Sequence, residues 1–223
     1  MNIHLMKMRI LHIKFNEGRI MKKKKEIILF ALICFVMTIC FSNTSVMAFN
    51  SSTASGYAET WWDDYNREYP KYDSDCTNFV SQALEAGGLQ EDDDWYWWNG
   101  LISKKSTAEW CNADELRKYL VRSKRGYVKN YWDNNSNTGF RTPPDVTTGE
   151  GELYRANVIF YDFDSDGDYD HAGIITSYYT ADGSKCDAVC THTSAHYRVK
   201  WHLKPYMSTS QFKKTTWVGL GIN

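Results

Sequence analysis

The chain is 223 residues long and 43% hydrophobic, with 26 Lys+Arg against 27 Asp+Glu, a net charge of −1. Residues 1–48 hold 8 of the bases and 2 of the acids, so residues 49–223 carry 18 against 25, net −7. That balance excludes the basic face of a nucleic-acid binder and docking on an anionic surface by charge alone.

The first segment reads as a secretory signal rather than part of a fold. Four lysines, Lys22–Lys25, precede a 15-residue apolar run from Ile27 to Phe41, broken only by Thr38. Val46-Met47-Ala48 then offers the small residues of a cleavage site. The run is shorter than the roughly 18 residues expected of a membrane span. Met21 is the natural start in this reading, with residues 1–20 an upstream extension. An uncleaved N-terminal anchor is the alternative. Residues 1–48 are thus expected to be a signal, and 49–223 a single secreted domain able to bury a substantial core. No stable membrane association is expected after cleavage, and the oligomeric state is left open.

Along that domain, Tyr57, Trp61, Trp62, Tyr65 and Tyr69 recur at helical spacing and predict a helix over 56–69, ended by Pro70. A second helix is expected over 76–86, with Phe79, Val80, Ala83 and Leu84 as its apolar stripe and Gly87-Gly88 as its stop. The acidic loop 92–100 holds Trp95, Tyr96, Trp97 and Trp98. These rings suit stacking on sugars or lining a peptide cleft, or else pack on the core beside the second helix. Asn112 and Glu115 make a capping box for a third helix over 113–121. After Thr142-Pro143-Pro144 the pattern turns to strands, at 157–163, 171–179, 187–193, 197–203 and 215–222. Helices first and strands afterwards give an α+β fold, N-terminal helices packed on an antiparallel sheet.

Four cysteines remain after the leader: Cys76, Cys111, Cys186 and Cys190. On a strand, Cys186 and Cys190 stand ~13 Å apart, beyond the roughly 7 Å limit of a disulfide. A Cys76–Cys111 bridge stays open.

Cys76 lies in the first turn of its helix, with Asp75 or Ser74 as cap. Unpaired N–H groups there favour a thiolate and can also hold an oxyanion. Cys111, which precedes its helix, is the rival nucleophile. His171 opens a strand, and alternation groups it with Gly173 and Ile175 on one face. Gly173 leaves room for the helix carrying Cys76 to approach, so His171 is the candidate base. His192 is the candidate third residue, orienting the His171 ring, with His196, Asn78 and Asp170 as rivals. Asp162, Asp164, Asp166, Asp168 and Asp170 alternate around Gly167 as in a calcium loop. Gly173 stands where the bidentate Glu belongs, so a solvated hairpin turn competes with a calcium site.

The stretches DCTNFVSQAL, NVIFYDFDSDGDYDHAGIIT and THTSAHY, together with YNREYPKY and STAEWCNADELRKYL, resemble the amidase-domain family of secreted bacterial proteins. That family falls in the papain-like group with the NlpC and CHAP cell-wall hydrolases. The resemblance implies a papain-like fold, a helix bearing the Cys packed on a sheet bearing the His residues. It implies Cys76 as nucleophile, His171 as base and His192 as third residue, and cleavage of a peptidoglycan amide outside the cell. Read from the residues themselves, Asp75, Trp95, Trp97 and Trp98 are the candidate substrate contacts, no cofactor is required, and the Asp loop leaves calcium as an option. Two alternatives stand beside this reading: an acyltransferase that uses the same triad and takes an amine in place of water, and a catalytically silent module that grips glycans through Trp95 to Trp98 with or without calcium.

Overall fold

The computed structural model describes Ile28, Phe30 and residues 48–133 and 152–223. The chain divides into two compact units, Met1–Met47 and Ala48–Asn223. Apart from Ile28, Phe30 and Ala48, the expected leader lies outside the described residues, as does the Thr142-Pro143-Pro144 boundary. Among the described residues no helix is long and apolar enough to cross a membrane.

Helix α1 is Ser51–Trp61, capped by Asn50, whose side chain accepts the N–H of Thr53. It begins earlier than expected because Ser, Thr and Ala supply no apolar stripe; its buried residues are the small Ala54, Ser55 and Ala58. It also ends earlier, well before Pro70. Beyond it, Asp64 and Asn66 bond their own neighbourhood, taking the N–H of Tyr65 (2.7 Å) and of Glu68 (3.0 Å). Such local bonds compete with helix continuation. Helix α2 is Cys76–Ala86, as expected. Phe79, Val80, Ala83 and Leu84 enter the core. A short hairpin follows, β1 (Trp97–Asn99) with β2 (Lys104–Ser106). Then come the single turn α3 (Ala108–Cys111) and helix α4 (Ala113–Arg122), where Asn112 accepts the N–H of Glu115 as the capping pattern requires.

Among the described residues, six antiparallel strands form the main sheet. They are β3 (Gly126–Asp133), β4 (Val158–Asp162), β5 (His171–Tyr179), β6 (Lys185–Thr191), β7 (His196–Lys200) and β8 (Thr216–Ile222), in the order β3-β8-β4-β5-β6-β7. Between β7 and β8 lie a 3₁₀ turn, Lys204–Tyr206, and helix α5 (Thr209–Lys214). The sheet is antiparallel and packs against the N-terminal helices, so the fold is α+β. Strand β3 departs from the order of helices first. It is an edge strand with Lys129-Asn130 and a bulge between Val128 and Asn130, which interrupt the alternation that would announce it.

The two faces of the sheet have separate cores. One face carries Val158, Phe160, Ala172, Ile174, Cys190 and Leu220 against α1, α2 and α4. The other carries Ile159, Tyr161, Ile175, Val189 and Trp217 beneath Trp132, Leu153, Trp201 and Leu203. Strict alternation along β4 and the first half of β5 enforces the division.

Candidate active site

All four described cysteines are free thiols. The open Cys76–Cys111 bridge is therefore not formed, and Cys186 and Cys190 do not pair. Cys76 is the first residue of α2. It is buried but lines a recess of about 460 Å³ with Cys111, Asp114, Asp168 and Asp170. Its sulfur lies 3.6 Å from the Thr77 hydroxyl, and the nearby backbone of Ala172 and Thr77 pulls its pKa down. Burial nevertheless pushes the thiol pKa up, and Asp75 adds to the rise. The expectation of a thiolate stabilised by the helix end is thus corrected: desolvation outweighs the helix end and the hydrogen bonds.

The two candidate imidazoles part company across the sheet. His171 pairs with Tyr161 in the β4–β5 register, on the face opposite to α2. Its ring lies 5.4 Å from that of Tyr161 and stacks 5.9 Å from Phe163. It lines a smaller recess of about 190 Å³ with Thr193, Ser194 and His196. Burial, then His196, lowers its pKa to about 4, so it is neutral near neutral pH. His192 follows β6 on the α2 face. Its ring sits 5.0 Å from Phe79 and 4.6 Å from Tyr65, and Nδ1 lies 2.7 Å from Oδ2 of Asp75. The expectation that His192 orients the His171 ring is corrected accordingly. Parity sends the two rings to opposite faces, and His196 is the histidine that shares a recess with His171.

Ile175 gives its N–H to Asn157 beside β4, so by alternation the N–H of Ala172 points the other way, toward β6. β6 ends at Thr191, one residue short of the partner Ala172 would have. The Cys76 sulfur lies near the amide left at that gap, which lowers its pKa, one residue from His171.

Gly173 does not serve this approach. A Cβ there would meet Val189 Cγ2 at 2.6 Å and Thr191 Cγ2 at 2.9 Å. It makes room for side chains of β6 on the face away from α2.

Asp75, expected to contact substrate, is buried and engaged within the chain. Its Oδ1 accepts the Tyr72 N–H and the Asn78 Nδ2–H, both at 2.9 Å, and its own N–H donates to Thr193 Oγ1 at 2.6 Å. Asn78 is likewise occupied, donating to Pro70 O and accepting from Trp110 Nε1. Trp95 is corrected from a substrate contact to a core residue. It is fully buried, 4.7 Å from the Trp110 ring, and its Nε1 donates to Ser81 Oγ. Trp97 is half-buried against Tyr69, 5.2 Å away, while Trp98 is exposed.

The acidic loop gathers three of its five carboxylates. Asp162, Asp164 and Asp166 offer oxygens within 4.8 Å of one another, a set that could share one hard cation. The loop is also satisfied from within. Asp162 accepts the N–H groups of Ser165 (2.6 Å) and Gly167 (3.1 Å). Asp168 and Asp170 stand apart from the group on the rim of the Cys76 recess. Asp170 accepts the Phe163 N–H at 2.8 Å. Burial and the nearby Asp164, Asp162 and Asp166 raise its pKa.

A sequence reading missed the Ala172 amide and the Asp75–His192 bond, because both join residues about a hundred positions apart. The one available signal was that Asp75, Cys76, His171 and His192 are all chemically capable residues at element ends.

Two proteins of Bacillus subtilis (strain 168), both named only as uncharacterized, are similar to this chain. YhbB is 31% identical over 125 residues, 54% of this chain and 35% of that protein. YjcM is 32% identical over 142 residues, 60% of this chain and 29% of that protein. The chain spans about a third of the length of these curated relatives. No solved structure matches it. The family model described as "Putative amidase domain" matches residues 48–216, which include every element from α1 to the start of β8, and the protein belongs to that family.

Proposed function

We propose that the protein is a secreted cysteine hydrolase that cuts an amide bond of peptidoglycan, with Cys76 as nucleophile and His171 as base. The observation that carries this reading is the position of the Cys76 sulfur. It sits at a helix start, in an open recess, near the amide of the residue next to His171.

The raised thiol and the lowered imidazole favour a particular order of events. At rest the thiol holds its proton and His171 is neutral. As the sulfur attacks the carbonyl carbon, its proton passes to the His171 imidazole, which turns from the Tyr161 side of β5 to receive it, and the S–C bond forms while the carbonyl becomes an oxyanion. Backbone N–H groups at the start of α2 can hold that oxyanion. The imidazolium then protonates the amine as the C–N bond breaks. Water, deprotonated by the same ring, cleaves the thioester. The leader pattern of residues 1–48 and the acidic balance of the remainder support a site of action outside the cell.

Mass spectrometry of fragments released from purified peptidoglycan tests the reading. New free amines paired with new carboxylates are expected. Release of no fragment from any wall preparation would overturn it.

A further inference from the structure

We infer that Asp75 is a positioning residue for this site: it holds His192 as the Nδ1–H tautomer and thereby ties the start of α2, and with it Cys76, to the chain leaving β6. The inference rests on Cys76 being the nucleophile, as proposed above.

Donor and acceptor counting fixes the tautomer. Trp110 Nε1 can only donate, and it donates to Asn78 Oδ1 at 2.7 Å, so the Asn78 amide can present only its Nδ2 to Asp75. Asp75 Oδ1 therefore receives two N–H groups, from Tyr72 and Asn78, both at 2.9 Å. A carboxylate met by donors on one oxygen acts as an acceptor on the other. Oδ2 faces His192 Nδ1 at 2.7 Å, so Nδ1 carries the hydrogen and the lone pair is left on Nε2. The ring is held between Tyr65 and Phe79.

A second bond makes the tie two-pronged. The Asp75 N–H donates to Thr193 Oγ1 at 2.6 Å. Thr193 and Ser194 both hold left-handed backbone, φ 54° and 67°, a costly conformation for a β-branched residue. Asp75 thus grips two consecutive residues of a strained turn, and Cys76 is the next residue along. Loosening the grip frees the start of α2 to move away from the Ala172 amide.

The test uses Asp75→Asn, which keeps the shape of the side chain. Its Oδ1 still suits the two donors, so its Nδ2 confronts His192 Nδ1 and the ring proton must move to Nε2. Nitrogen-15 NMR of the His192 ring should give an Nδ1–H signature in the wild type and Nε2–H in Asp75→Asn. From full pH–rate profiles, the rate constant of iodoacetamide with the Cys76 thiolate should be about tenfold or more lower in that variant, even though loss of the Asp75 charge by itself lowers the thiol pKa. His192→Gln, which can still donate to Asp75, should alkylate within about threefold of the wild type, whereas His192→Leu should not. That contrast separates a positioning role from proton transfer by the ring. An Nε2–H signature in the wild type, or wild-type alkylation in Asp75→Asn and His192→Leu, overturns the inference. Should Asp75→Asn not fold, the wild-type spectrum and the Gln/Leu contrast decide it. Alkylation needs no amide substrate, so these results in a protein that cuts no wall fragment would overturn only the proposed activity.

Discussion

Cys76 and Ala172, 96 positions apart in the chain, meet where the backbone amide of a strand comes close enough to a helix-start sulfur to lower its pKa. The contact sits where β6 stops short of its neighbour, and it brings the thiol to the residue beside His171.

Replacing the nucleophile should separate activity from folding. Cys76→Ala is expected to abolish amide cleavage while thermal stability changes by less than ~2 kcal/mol, since only one small side chain is lost. Fragment release from purified wall and a thermal melt of the same sample check both halves. Full activity in the variant would exclude a thiol mechanism.

His171→Gln should lower kcat by about 10²–10⁴-fold, the range for loss of a positioned general base. KM should change far less, because the imidazole moves a proton and need not grip substrate. Steady-state kinetics on a released wall peptide read the split. An unchanged kcat would transfer the role of base elsewhere.

Acid should destabilise the protein before its carboxylates titrate. Burial lowers the pKa of His171 and of His202 to about 4, against about 6.5 in the unfolded chain. Between these values the unfolded state binds more protons, so the stability contributed by the neutral rings is complete above pH 6.5 or so and is lost as pH falls toward 4. Each ring contributes up to about 3 kcal/mol by this linkage. Asp170, whose pKa is raised, offsets part of the loss at the acid end. Urea midpoints across this range should fall with pH, and less steeply in His171→Gln.

The two tryptophans at opposite ends of the aromatic run should behave differently. Trp95→Ala removes a fully buried ring and its bond to Ser81 and should cost ~3–5 kcal/mol. Trp98→Ala, on the exposed side of the hairpin, should stay within about 0.5 kcal/mol. Denaturant melts of the two variants decide between core and surface.

Gly173→Ala should destabilise by ~1–3 kcal/mol through overpacking against Val189 and Thr191. The strain falls on the face away from α2, so Cys76 alkylation should be little changed. A variant as stable as the wild type would mean that β6 yields more readily than close packing allows.

Helix α2, the capping box of α4 and the span of β5 were readable because each is a local property. A stripe at helical spacing ended by Gly87-Gly88, a side chain taking an N–H three residues on, and a run of β-branched and aromatic residues need no partner to be recognised. Antiparallel β structure behind N-terminal helices was readable for the same reason, and Cys76 as a helix-start thiol with it. Strand β3 was not, because its polar centre and bulge remove alternation and only β8 gives it a place. Nor was the short α1, because Asp64 and Asn66 hydrogen-bond locally where apolar spacing promised more helix.

Local chemistry also named His171 and His192 without saying which way they face. A strand directs successive side chains to opposite sides; His171 opens β5 and His192 follows the end of β6, strands whose relative register is set by pairing across the sheet. That register, fixed by packing on both faces, sends His171 toward Tyr161 and His192 toward Asp75. The charge state follows the same rule. A thiol at a helix start looks acidic in a sequence because its nearest dipoles are known, but desolvation comes from the strands and helices packed around it, which tertiary structure alone assembles.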